Sequence, residues 1–202
     1  MQERNTSHLL DAKLAFIGCG VMAEAIIAGV LRKKLVSPEQ IIGSHPRQSR
    51  REELQAKYGV RLLESNRDAV VAAHPTEGAA DSSRTSSIVI LAVKPQHFTK
   101  VLTELRGSLH QDQLVVSVVA GAKMEMIASE LLHPAVVRAM PNTPTQIGQG
   151  MTAWTATEGV SEAQARQVDA MFEALGKGMR VETERMIDMA AALSGTGKPT
   201  LS

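Results

Sequence analysis

The chain has 202 residues, 44% of them hydrophobic, enough to bury a substantial core in one domain or one domain with an appendage. With 22 basic against 21 acidic side chains the formal net charge is +1, and aromatic residues make up only 2%. That balance gives neither the electrostatic footprint nor the stacking platforms that nucleic-acid binding requires. A single cysteine, Cys19, excludes an internal disulfide framework and fits a reducing compartment, so a cytoplasmic setting is expected. The opening "MQERNTSHLLDAK" carries no secretory-type apolar stretch, reads as a flexible leader over residues 1–12, and no later run reaches the roughly 20 apolar residues of a membrane span. Six histidines, His8, His45, His74, His97, His110 and His133, are spread singly, and none has a partner at metal-ligand spacing, so metal catalysis is set aside.

The first predicted element is "KLAFIG", a short apolar run ending at glycine, as a strand buried on both faces of a parallel sheet would. "VMAEAIIAGVLRK" follows as a helix with Met22, Ile26, Ile27 and Val30 on one face. A strand around Ile41 to Gly43, the helix "SRREELQAKYG" and the strand "VRLL" come next. "SNRDAVVAA" reads as a helix with Ser65 or Asn66 as N-cap. Residues 74–86, "HPTEGAADSSRTS", offer almost nothing to bury and are expected to be an exposed, dispensable loop.

"SIVILAVKP", Ser87 to Pro95, is the strongest strand signal. It is followed by a helix "HFTKVLTELRG", a strand "QLVVSVVAG", a helix "KMEMIASELL" and a strand "AVVRAMPN" ending at Pro141. "GMTAWTAT" adds a strand, "SEAQARQVDAMFEALG" a helix with Ser161 as N-cap and Glu162 in its first turn, "GMRVET" a strand and "ERMIDMAAAL" a last helix, with "SGTG" read as the loop after it. This alternation predicts an α/β fold of the Rossmann type, a doubly wound, mostly parallel sheet over residues 13–183, with residues 184–202 beginning a helical appendage.

The first chemical signal is "GCGVMA", Gly18 to Ala23, which matches G-x-G-x-x-G/A between the first strand and the first helix. Gly18 permits the tight turn, Gly20 the approach of backbone to a pyrophosphate, and Ala23 close packing of helix on strand, while the helix N-terminus offers amides to phosphate. At the end of the second strand "IIGSHPRQSRR" places Ser44, Arg47, Arg50 and Arg51 and no acid before Glu52, which suits the 2′-phosphate of NADPH, with NADH also possible. Arg47 is the expected phosphate contact, and Arg50 and Arg51 are expected on a solvated helix face. Cys19 is read as a small packing residue in preference to a nucleophile, since no general base is identifiable beside it. Lys94 follows the strongest strand, at the edge where ligands bind in open α/β sheets, and could equally be a surface lysine.

Four ordered motifs, "FIGCGVMAEAIIAGVL", "LAVKPQ", "VVRAMPNTP" and "IDMAAALSGTG", resemble the pyrroline-5-carboxylate reductase family, which reduces a cyclic imine to proline with NAD(P)H in the last step of proline biosynthesis. The similarity runs from about Lys13 to Gly197. It implies that Gly18, Cys19, Gly20, Val21 and Met22 hold the pyrophosphate, that Ser44 and Pro46 lie by the adenosine ribose and 2′-phosphate, and that Asn66 lies by the adenine. It further implies that Ala92, Val93, Lys94 and Pro95 line the cofactor, with Ala120 and Gly121 after the next strand. Asn142 and Thr143 of "MPNTP" would border the nicotinamide. Glu184, Ser194, Gly195, Thr196 and Gly197 would border the small-molecule substrate, 1-pyrroline-5-carboxylate.

The chemistry implied is hydride transfer from the nicotinamide C4 to the imine carbon, with no residue singled out as catalytic, because a protonated imine demands little acid catalysis. The family's stretch continues as "GPAY" into helices that interlock two subunits of a homo-oligomer, where this sequence has "KPTLS". The resulting expectation is poor turnover by this chain alone and an uncovered apolar surface around Met186, Met189 and Leu193. Two other readings stand beside the reductase: a dinucleotide-binding chain without activity, and a related Rossmann imine or keto reductase.

Overall fold

The structure, a computed structural model, describes residues 11–74, 86–141 and 150–195, with side chains placed up to Met189 in the last segment. The expected loop between His74 and Ser86 thus lies, apart from its two ends, outside the described residues.

Among the described residues eight strands form one sheet: β1 (Lys13–Ile17), β2 (Ile41–Ser44), β3 (Arg61–Leu63), β4 (Ser87–Leu91), β5 (Leu114–Ser117), β6 (Val136–Pro141), β7 (Gly150–Ala156) and β8 (Gly176–Arg180). Their spatial order is β3-β2-β1-β4-β5-β6-β7-β8. Pairing is parallel throughout except between β6 and β7, so the α/β doubly wound reading holds. The chain leaves β1 towards β2 and returns to β4 on its other side, and this reversal opens a crevice at the carboxyl ends of β1 and β4.

Among the described residues seven α-helices flank the sheet: α1 (Val21–Arg32), α2 (Gln48–Tyr58), α3 (Asn66–Ala73), α4 (Pro95–Leu105), α5 (Met124–Leu131), α6 (Glu162–Glu173) and α7 (Glu184–Gly195). The central strands alternate side chains between two apolar layers. Leu14, Phe16, Ile88 and Ile90 enter the layer under α1, α2 and α6, where Ile26, Leu54 and Phe172 meet them. Ala15, Ile17, Val89 and Leu91 enter the layer under α3, α4 and α5 with Val70, Phe98 and Ile127. Burial of β1 and β4 on both faces explains why they read as unbroken apolar runs.

Several boundaries differ from the sequence reading. β4 stops at Leu91, because Ala92 still donates to Ile17 O at 2.9 Å but Pro95, which has no amide hydrogen, opens α4 as its first residue. β5 is likewise shorter than "QLVVSVVAG", ending at Ser117. β8 begins at Gly176 instead of Gly178 and ends at Arg180, because Gly176 lies directly against Gly150 of β7: a Cβ there would stand 2.1 Å from Gly150 O. α7 continues through Ser194 and Gly195, which were expected in a loop, because the alanines preceding them sustain the helix. Ser65, not Asn66, caps α3, accepting from the Asp68 amide at 3.1 Å. Ser161 caps α6 as expected, and Glu162 stands in its first turn.

Candidate nucleotide-binding site

Between the end of β1 at Ile17 and the start of α1 at Val21, the chain turns through Gly18, Cys19 and Gly20 at the carboxyl edge of the sheet. Gly18 adopts φ +87°, and a Cβ on it would stand 2.5 Å from Val93 Cγ1, so the turn needs glycine both for its backbone and for the valine packed on it. Gly18 and Cys19 both donate to Ser44 O, at 3.2 and 3.1 Å, which fastens the turn to the end of β2. At Gly20 the situation reverses: a Cβ would meet nothing within 4 Å. Gly20 caps α1 without any side chain, and no described group outside the helix accepts from the amides of Val21 and Met22. At the start of α3 the Asp68 amide is taken by Ser65 Oγ, and at the start of α5 the Met124 amide is taken by Glu184 Oε1 at 2.9 Å. The N-terminus of α1 is thus an open anion cradle with a positive dipole end, which fits a phosphate group.

The thiol of Cys19 points away from this cradle. It is fully buried beside Gly43, where a Cβ would come within 2.5 Å of its sulfur, and desolvation pushes its pKa up to about 12. Packing is therefore its role, and both its peptide groups are occupied, since Arg50 Nε donates to Cys19 O at 3.1 Å.

Arg50 and Arg51 correct the expectation of a solvated face. The Arg50 side chain is only 14% exposed and binds Glu24 of α1 at 2.5 Å and Glu53 at 2.9 Å besides the Cys19 carbonyl. Arg51 Nη1 donates to the carbonyls of His45 and Pro46 at 2.7 and 3.0 Å. Both hold backbone because a guanidinium presents several donors in a fixed fork. Arg47, the N-cap of α2, is exposed, and its guanidinium has no partner among the described residues. Burial pushes His45 below the ordinary imidazole range, and Arg47, Arg50 and Arg51 reinforce that shift against the hydrogen bond from the Arg47 amide. The end of β2 is therefore a region of positive potential with one uncommitted guanidinium.

Ser44 is fully buried, and its hydroxyl donates to Asn66 Oδ1 at 2.7 Å, while Asn66 Nδ2 donates to Glu104 Oε2 at 2.9 Å. Ser44 thus shapes the site through the glycine turn and Asn66. Pro46 is exposed beside Arg47, Ala92 and Val93 are half-buried next to the glycine turn, and Lys94 is the exposed N-cap of α4 ahead of Pro95. Ala120 and Gly121 are exposed after β5, Gly121 with φ +75°. Asn142, Thr143, Thr196 and Gly197 lie outside the described residues, as do the side chain of Ser194 and that of Leu193.

Glu184 sits where α7 meets the sheet. Its Oε1 accepts from the Met124 amide and from Arg138 Nη1 at 3.2 Å, and Arg138 Nη2 reaches Asp188 Oδ1 at 2.5 Å. Arg138 of β6 is 4% exposed and was not singled out from the sequence. An arginine interrupting the apolar run "VVRAMP" was the available signal, since a buried charge demands paired partners. Met186 and Met189 of α7 are 44% and 56% exposed, in line with the expected apolar surface there.

The glycine turn and its surroundings lie inside residues 13–121, which match the family model "NADP oxidoreductase coenzyme F420-dependent". The chain belongs to this family. Within this NADP oxidoreductase family its relatives are the proteins that the four motifs pointed to. It is 37% identical over 188 residues to the pyrroline-5-carboxylate reductase of Synechocystis sp., covering 93% of this chain and 65% of that protein. To the Escherichia coli enzyme of the same name it is 33% identical, with the same coverage of each. The solved pyrroline-5-carboxylate reductase of Coxiella burnetii superposes with a TM-score of 0.81 at 30% identity, over 93% of this chain and 65% of that one. The chain thus spans about two thirds of the length of the reductases it matches. No helix among the described residues is long and apolar enough to cross a membrane.

Proposed function

We propose that this chain binds NADPH and supplies the cofactor-binding part of a pyrroline-5-carboxylate reductase. The observation that carries the reading is the N-terminus of α1 behind Gly20, which no side chain caps, joined to Arg47 at the end of β2, whose guanidinium has no partner among the described residues. The relatives' shared name supports the substrate class, a cyclic imine carboxylate. In this reading the amides of Val21 and Met22 hold the pyrophosphate, and Arg47 holds the 2′-phosphate with Pro46 lying beside it. Asn66 faces the adenosine, and Ala92 to Pro95 with Ala120 and Gly121 wall the cleft. Cys19 and Ser44 contribute by fixing the turn, not by contact.

The nicotinamide, when bound, supplies the hydride. This chain's residues orient and desolvate: the half-buried Val93 beside Gly18 excludes water from the cleft floor, and Glu184, held by Arg138, fixes where α7 begins. Placement of this kind accounts for much of a hydride-transfer rate, because the reacting atoms must meet within about 3.5 Å. Asn142, Thr143, Ser194, Gly195, Thr196 and Gly197 complete the substrate side of the proposal. Residues 13–183 then form the cofactor domain, and residues 184–202 lead towards the substrate region.

The test is a titration of the purified chain with NADPH and NADH, followed by an assay with 1-pyrroline-5-carboxylate. Saturable binding that prefers NADPH supports the cofactor assignment, and oxidation of NADPH dependent on the imine supports the reductase. Absence of binding to either nucleotide would overturn both.

A further inference from the structure

His74, at the end of α3, and Asp112, in the turn before β5, are separated by 38 positions in sequence but meet at the edge of the sheet opposite the nucleotide cleft. His74 Nε2 lies 3.2 Å and His110 Nδ1 2.5 Å from the same oxygen, Asp112 Oδ1. The two rings are 4.1 Å apart between centroids, and one ligand atom from each of the three residues falls within 4.8 Å of the others. We propose that His74, His110 and Asp112 form a binding site for a divalent transition-metal ion, Zn²⁺ by its donor set.

The donor set is two imidazole nitrogens and one carboxylate oxygen, the combination that zinc accepts while leaving a fourth position to water. Bonds of about 2.0–2.1 Å to a tetrahedral ion put neighbouring donors about 3.3 Å apart. The His74–Asp112 spacing already meets this, and the His110–Asp112 pair has only to open by rotation of exposed side chains. Metal binding displaces the protons that the two ring nitrogens share with the carboxylate, and these go to the free ring nitrogens or to solvent.

The supports of the site are fixed beneath it. The His110 amide donates to Gln113 Oε1 at 2.8 Å and the Gln113 amide returns to His110 O at 3.1 Å, which locks the turn. Gln113 is 1% exposed and its Nε2 donates to Val70 O of α3 and to Ser87 Oγ, tying the turn to the helix that carries His74. Gln113 thus connects the turn that carries His110 and Asp112 to the helix that ends at His74, whose own amide donates to Val71 O at 3.1 Å. The ligands serve no role in the nucleotide cleft, so the site is independent of the proposed reductase reading.

Isothermal titration of the chelator-treated full chain with ZnCl₂ is expected to show one saturable site and a melting temperature that rises with zinc but not with Mg²⁺. His74→Gln, His110→Ala and Asp112→Asn should each weaken zinc binding about tenfold or more, while His97→Ala leaves it unchanged. Co²⁺ bound to the wild-type chain should give the intense visible bands of a four-coordinate N/O site, a readout that needs no variant to fold. A zinc affinity unaltered by these substitutions, no saturable binding, or only the pale spectrum of hydrated cobalt would overturn the proposal.

Discussion

Replacing Arg50 by alanine is the sharpest probe of how the glycine turn is held. Arg50 is the only described side chain that grips the turn's backbone from outside it, through Cys19 O at 3.1 Å, and it also joins α2 to α1 through Glu24. Hydrogen bonds to charged groups contribute about 1.5–3 kcal/mol each, and exposed ion pairs about 0–1. The Glu53 contact belongs to the second class, since Glu53 is 56% exposed, and Glu24 keeps Lys57 at 2.8 Å and Tyr58 at 2.9 Å after the change. The loss should therefore be about 2–3 kcal/mol, which for a domain of this size lowers the melting temperature by roughly 4–12 °C. Chemical denaturation followed by circular dichroism measures it. The same variant should bind NADPH several-fold more weakly, because the amides behind Gly20 lose their fixed direction. Arg50→Lys should recover part of the stability through Glu24 but not the cofactor affinity, since one ammonium does not reproduce the fork that reaches both the carboxylate and the Cys19 carbonyl. A stability change below about 0.5 kcal/mol would refute the reasoning and return Arg50 to the solvated face.

Arg47→Asp should cut NADPH affinity by about 10- to 100-fold while leaving NADH little changed, because one charge-assisted contact to phosphate is worth about 1.5–3 kcal/mol; paired fluorescence titrations check it. Gly18→Ala should destabilise the chain by about 2–4 kcal/mol, combining the left-handed backbone penalty with the overlap on Val93, as read by a urea midpoint. Burial alone would raise the Glu24 carboxyl, but hydrogen bonds from Lys57, Arg50 and Tyr58 overcome it and hold the pKa at about 2 against an ordinary 4.5. A carboxyl depressed by folding adds stability that is fully present above pH 4.5 and lost as pH falls towards 2. Glu24→Gln should accordingly flatten the acid-side decline of stability measured over that window.

Much of the architecture was legible because periodicity and glycine placement are local signals. β1 and β4 announced themselves as apolar runs, since strands buried on both faces have no polar positions to keep. Gly18 and Gly20 were recognisable because a strand, a turn and a helix follow one another within a few residues. The sequence could not say that Gly18 answers to Val93 while Gly20 faces open space, because Val93 belongs to another strand's connection.

What the sequence by itself determined is the alternation of elements, the place of the phosphate turn and the absence of an acid at the end of β2 before Glu52, all of which depend on near neighbours in the chain. Only the tertiary structure decided what each arginine does. Arg47, Arg50 and Arg51 share one short stretch, yet the Arg47 guanidinium has no partner among the described residues, Arg50 binds Cys19 O and Glu24 from another segment, and Arg51 binds the carbonyls of His45 and Pro46. The same holds for Arg138, whose partners lie 46 and 50 positions away, and for His74, His110 and Asp112, which looked isolated until the sheet brought them together. Composition and spacing fix which groups can be charged, whereas a charge acquires its role from the groups that folding places within about 3–4 Å of it, and those distances exist only once the layers have packed.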